Sequence, residues 1–170
     1  MTPGLRKFMR TAHITFTVGW LGTVVAFLVL AIAGLISQDV KTVQAAYIAM
    51  ELTARFVIVP LSLAPLLLTG PILSLGTPWG LFRHYWILAK LLINILSTII
   101  LLVHRQPISY LSRVAAAGTL SSADRGAQVQ LVVAAAAGLL ALLVATALAV
   151  YKPRGMTPYG WRKQYEEQRL

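Results

Sequence analysis

The sequence predicts an all-α polytopic membrane protein, a four-transmembrane-helix bundle, and three observations carry that reading. Of its 170 residues, 58% are apolar and 12% charged, against about 45–50% and about 25% in an ordinary soluble domain. Four apolar segments each supply the about 20 helical residues that cross a bilayer core. No apolar run alternates with polar residues at period two, which disfavours a β-barrel. Mean hydropathy is +0.74.

The first span runs from about Thr11 to Ser37. It shares features with a signal peptide, with Arg6, Lys7 and Arg10 as a basic region and Ala31-Ile32-Ala33 as a cleavage site. Its apolar run far exceeds the about 7–15 residues of a signal core, so an uncleaved helix is expected. The second span covers about Gln44 to Thr69, with Pro60 and Pro65 as expected kinks. The third covers about Leu81 to His104 and the fourth about Val129 to Tyr151. Residues 38–43 then form a tight turn and residues 105–127 a longer loop. Within that loop Tyr110 to Leu120 suits a short interfacial helix, and Ser121, Ser122 and Asp124 offer caps. Residues 1–151 are thus a membrane domain and residues 152–170 a basic tail.

Net charge is +10, from 15 Lys and Arg against 5 Asp and Glu. In a soluble chain this would raise nucleic acid as a partner; here it points to topology instead. Arg6, Lys7, Arg10, Arg83, Lys152, Arg154, Arg162, Lys163 and Arg169 fall on one face, nine in all. Lys41, Arg105, Arg113 and Arg125 fall on the other, and Arg55 and Lys90 lie within spans. The bias predicts that the N and C termini are both cytoplasmic. No nucleic-acid partner is expected; the expected partners are the lipid bilayer and either a second copy or another membrane protein.

A Thr-Pro pattern recurs three times on the face expected to be cytoplasmic: Thr2-Pro3-Gly4-Leu5-Arg6, Thr77-Pro78-Trp79-Gly80-Leu81-Phe82-Arg83 and Thr157-Pro158-Tyr159-Gly160-Trp161-Arg162. Thr then Pro suits an N-cap and first helical position, and Trp or Tyr beside Arg suits a headgroup anchor. A tail that docks a partner through residues 152–170 is the alternative.

Ionisable groups at membrane depth are costly, so each is a functional candidate. On the third span Trp86, Lys90, Asn94, Ser97, Leu101 and His104 step by three or four and share one face. Lys90 lies about 12 Å in from that span's start. On the second span Tyr47, Glu51 and Arg55 step by four, and Ser62 and Thr69 continue the face. Glu51 and Arg55 are spaced for an ion pair within the helix, read either as a packing device or as part of an ion pathway with Lys90. On the first span His13, Thr17 and Trp20 share a face, and Gly19 and Gly22 permit a close neighbour. The fourth span carries no titratable residue between Val129 and Ala149, and its Ala134 to Gly138 run suits a packing wall.

His13 and Lys90, each with a Trp on its own face (Trp20 and Trp86), are the candidates for cofactor chemistry. A neutral imidazole is a good axial ligand for haem iron. Lys90 has two roles open: coordination as a neutral amine, or pairing with a propionate as a cation. His104 stands about 21 Å along the helix from Lys90, too far to share a metal. His84 sits in a loop beside Arg83. The chain has no cysteine, which excludes disulfides and thiolate metal sites. It also lacks phosphate-loop, dinucleotide and zinc-protease motifs.

His13-x6-Trp20 with Gly22, together with Trp86-x3-Lys90-Leu91, resembles the bacterial haem-binding membrane protoporphyrinogen oxidases and, more loosely, the copper-resistance D membrane domain. The chain as a whole is similar to a family of small, uncharacterised bacterial four-helix integral membrane proteins. The resemblance covers two of the four spans. It implies a bacterial cytoplasmic membrane location and a b-type haem held by His13 and Lys90 with a redox role. It leaves copper open in place of haem. An accessory or assembly subunit, and a small transporter using Glu51, Arg55 and Lys90, remain the other expectations.

Overall fold

A computed structural model describes residues 2–75 and 81–169. It is all-helical, with no strand among the described residues. Four helices are long and apolar enough to cross a membrane. α1 spans Pro3–Ile36, opened by the Thr2 hydroxyl, which accepts the Leu5 amide, with Pro3 in the first turn. α2 spans Val40–Leu73. Asp39 caps it, its carboxylate accepting the Thr42 amide at 3.0 Å and hydroxyl at 2.6 Å. α3 spans Tyr85–Ala116 and α4 Arg125–Tyr151, entered through a 3₁₀ turn at Ser122–Asp124. A short α5, Pro158–Gln168, follows.

The spans expected from apolar content are shorter than the helices. α1 begins at Pro3, where Thr11 was expected, and α2 at Val40, ahead of Gln44. α3 runs on past His104 to Ala116, through an expected loop and most of the separate short helix expected at Tyr110 to Leu120. Its continuation is held by packing: Ile108, Leu111, Ser112 and Ala115 repeat at helical spacing and are buried. Pro107 lies inside this stretch. A 34-residue helix is about 50 Å long, against the about 30 Å of a bilayer core.

The helices close a four-membered ring in which each packs on its two sequence neighbours, α4 returning to α1. Trp20, Val24, Phe27 and Ala31 of α1 face Tyr47, Met50, Ala54 and Ile58 of α2, Leu111 of α3 and Leu131 of α4 in one core. Gly34 is required here: a Cβ would stand 2.9 Å from the Tyr47 ring. The outside is apolar too, with Val18, Val29, Phe56, Leu92, Val103, Val133 and Leu140 exposed. Apolar residues all round a helix suit a lipid surrounding.

Prolines divide α2. Two widened π stretches, Ala54–Ile58 and Ala64–Thr69, interrupt it. Each holds the carbonyl four residues before a proline, Phe56 for Pro60 and Leu67 for Pro71, where the ring forbids a normal turn. Gly70 completes the second, since a Cβ there would collide with the Pro65 carbonyl. Beyond Thr53 the helix stays packed on α1 and draws away from α3.

The basic tail is folded onto the body. Thr157 donates its amide to the Arg83 carbonyl at 3.0 Å and its hydroxyl to the Phe82 carbonyl at 2.5 Å. Gly160 packs against the Arg83 backbone so closely that a Cβ would not fit. Arg83 and Glu167 pair at 2.6 Å. Of the three Thr-Pro motifs, the first and last do cap helices. Residues 77–80 of the middle one lie outside the described residues.

Candidate functional site

Where α2 leaves α3, a cleft of about 440 Å³ opens between the start of α1, the end of α2, the start of α3 and the end of α4. A volume of that size falls within the about 300–1,000 Å³ of small-molecule sites. Its polar groups are Arg10, His13, Lys90, Asn94 and Lys152. Among the described residues no Asp or Glu lines it. Its apolar wall includes Pro65, Leu66, Pro71, Ile87 and Leu91, with Trp86 beside them.

His13 and Lys90, 77 positions apart in sequence, line this one cleft from two different helices. The His13 Nδ1 lies 2.7 Å from the Thr69 hydroxyl. That bond fixes the ring and leaves Nε2 for a ligand, the arrangement that metal-binding imidazoles use. The Lys90 ammonium sits 5.2 Å from the centroid of the Trp86 ring, a cation–π contact. Among the described residues Lys90 has no carboxylate within ion-pair distance.

The other expected residues lie elsewhere. Trp20 is buried in the core, lining a separate apolar cavity of about 150 Å³ with Ser97 and His104. The polar face of α3 is thereby split: Trp86, Lys90 and Asn94 serve the cleft, Ser97 and His104 the cavity. His104 donates from Nδ1 to the Ile100 carbonyl at 2.8 Å, and its Nε2 is 3.5 Å from the Gln130 amide nitrogen. His84 stacks on Trp86 at 6.3 Å between ring centroids.

The Glu51–Arg55 ion pair does not form. Glu51 accepts the Ser109 hydroxyl at 3.0 Å, while Arg55 is exposed and lies over the Phe56 ring at 5.5 Å. The cause is the π stretch that starts at Ala54, which breaks the four-residue register the pair needs. Glu51 and Arg55 border a pocket of about 30 Å³ with Arg105, apart from the cleft that holds Lys90. They make no common seam.

Sequence reasoning passed over two cleft groups and the hydrogen-bond partner of a third. Arg10 and Lys152 were assigned to topology alone, although Arg10 precedes His13 by one helical turn. Thr69 was placed on a polar face, with nothing local to mark it as the partner of His13.

No family model, curated protein or solved structure matches this chain. The site therefore rests on its own chemistry. Among the described residues, no group of three or more His, Cys, Asp and Glu is placed to hold a metal ion. A ligand that brings most of its own donors and carries negative charge suits the cleft best.

Proposed function

We propose that the chain is a membrane-embedded four-helix bundle that binds b-type haem in this cleft. The observation that carries the reading is the meeting of His13 and Lys90 on one cleft whose described lining has four basic groups and no acid. The residues fit such a ligand in kind. His13 Nε2 serves the iron, with Thr69 holding the ring. Arg10, Lys90 and Lys152 serve the two propionates. Trp86, Ile87, Leu91 and Pro65 supply the apolar wall for the macrocycle. Bound haem would supply one-electron redox chemistry. Lys90 acts here as a cation, because the charge it needs comes with the ligand.

The positive excess supports insertion with the cleft facing the cytoplasm, and the family resemblance supports a bacterial cytoplasmic membrane. An absorption spectrum of the protein, expressed with haem supply and purified in detergent, tests the proposal. A Soret band is expected in the parent chain, lost in His13→Ala and shifted in Thr69→Val. Absence of the band, or a band unchanged in His13→Ala, sinks it.

A second reading draws on α5. Tyr159, Trp161 and Tyr165 are exposed there, which suits a docking surface for a membrane partner of an accessory subunit. Co-purification with and without residues 152–170 separates the two readings.

A further inference from the structure

We propose a second binding site, for the phosphate of an anionic lipid headgroup, at the end of the bundle opposite the cleft. An open groove of about 890 Å³ runs between the far part of α3 and the start of α4. Arg105, Gln106, Tyr110 and Arg113 line it from α3, and Ala127 and Gln130 from α4. The two guanidiniums are exposed, and among the described residues neither has a carboxylate within ion-pair distance.

The neighbouring acids are already committed. Asp124 accepts the Tyr110 hydroxyl at 2.9 Å and the Ser121 amide at 2.9 Å. Glu51 accepts the Ser109 hydroxyl. Arg125 differs from the pair in the groove, because its guanidinium donates to the Leu35 carbonyl at 3.0 Å and ties α4 to the end of α1. Arg105 and Arg113 are left facing an open groove with donors to spare.

Depth names the ligand. Arg105 is the first residue past the apolar run that ends at His104, so its head stands where a bilayer changes from hydrocarbon to headgroup. Leu102 closes the groove on the apolar side, and Ile99, Ile100 and Val103 below it are exposed. A phosphate with acyl chains fits both halves of this surface. The planar guanidinium fork matches phosphate oxygens two at a time, which an ammonium does not. Free phosphate shares the headgroup's chemistry but has no use for the apolar track.

The test is native mass spectrometry of the full chain, released from nanodiscs of equal phosphatidylglycerol and phosphatidylcholine. The parent is expected to retain phosphatidylglycerol preferentially. Arg105→Gln with Arg113→Gln is expected to lower that preference roughly tenfold or more. Arg105→Lys with Arg113→Lys keeps both charges and retains an intermediate preference. Lys163→Gln with Arg169→Gln, on α5 and at its C-terminal cap, removes equal charge and leaves the preference intact. Helical circular dichroism checks that each variant is folded. Equal retention of the two lipids overturns the proposal, as does an equal fall in the α5 variant. Full displacement by soluble glycerol phosphate also overturns it, because the site would then take free phosphate. None of these outcomes depends on whether the cleft binds haem.

Discussion

The two ends of the bundle are made from the same four helices and differ in what fills them. At the end carrying Tyr47, Met50 and Leu111, the interior is closed: the three side chains are at most 1% exposed. Gly34 lets the Tyr47 ring seat against α1. Two polar pairs join elements there, Glu51 with Ser109 and Asp124 with Tyr110. At the other end, prolines and π stretches lead α2 away from α3, and among the described residues the space is lined by basic groups without acids. Consistency of local and global preference makes a stable core, and departures from it mark sites. Here the departures lie on one helix and at one end.

The largest expected effect tests that contrast directly. Leu111 is fully buried, so Leu111→Ala should cost about 2–5 kcal/mol through lost packing and a residual cavity. Leu91 has the same side chain but stands half-buried in the cleft wall. Leu91→Ala should cost much less, and its main effect should be on ligand binding. Apparent melting temperatures in one detergent, with and without haem, make the comparison. Equal losses for the two variants would mean that the cleft end is packed as tightly as the closed end.

Much of this contrast was legible in the sequence, but unevenly. The four spans follow from apolar length, and the α3 face of Trp86, Lys90 and Asn94 follows from spacing on a regular helix. Regularity is also where the reading failed. Arg55 was placed by counting fours from Tyr47, and the π stretch at Ala54 moved it to the outside. Residues 105–127 read as a loop carrying a separate short helix at Tyr110 to Leu120, because the polar residues Arg105, Gln106 and Ser109 interrupt the apolar run. Their face is the groove, while Ile108, Leu111 and Ala115 hold the helix in place. The bond between His13 and Thr69 joins two helices at positions 56 residues apart, and no local pattern encodes it.

A smaller effect, of opposite sign, sharpens the claim that the closed end is maintained by packing. The Tyr47 hydroxyl is buried with no hydrogen-bond partner among the described residues. Tyr47→Phe keeps the ring against Gly34 and removes an unsatisfied polar group. It should raise stability by about 1 kcal/mol, seen as a higher melting temperature. A clear loss would mean that the hydroxyl has a partner within the folded protein, and that this end relies on polar contacts as well as shape.

The smallest effect concerns how the helices begin. At the cleft end α1 and α5 start on neutral threonine hydroxyls, Thr2 and Thr157. At the closed end α2 starts on a carboxylate. The Thr42 hydroxyl and amide hold the Asp39 carboxyl below the usual carboxylate range. A pKa lowered in the folded state means that stability from this cap is fully present above the unfolded value. It is lost as pH falls through the lower folded value. Acid should therefore loosen the start of α2 first, and raising pH above neutral should change nothing there. Asp39→Asn keeps an oxygen acceptor for the cap but cannot titrate. Its melting temperature should lie near that of the parent at neutral pH and escape this part of the parent's decline in acid. Identical acid profiles for the two chains would remove Asp39 as a cause. Placing the acid-sensitive cap at the closed end also keeps its carboxylate away from the cleft and its basic lining.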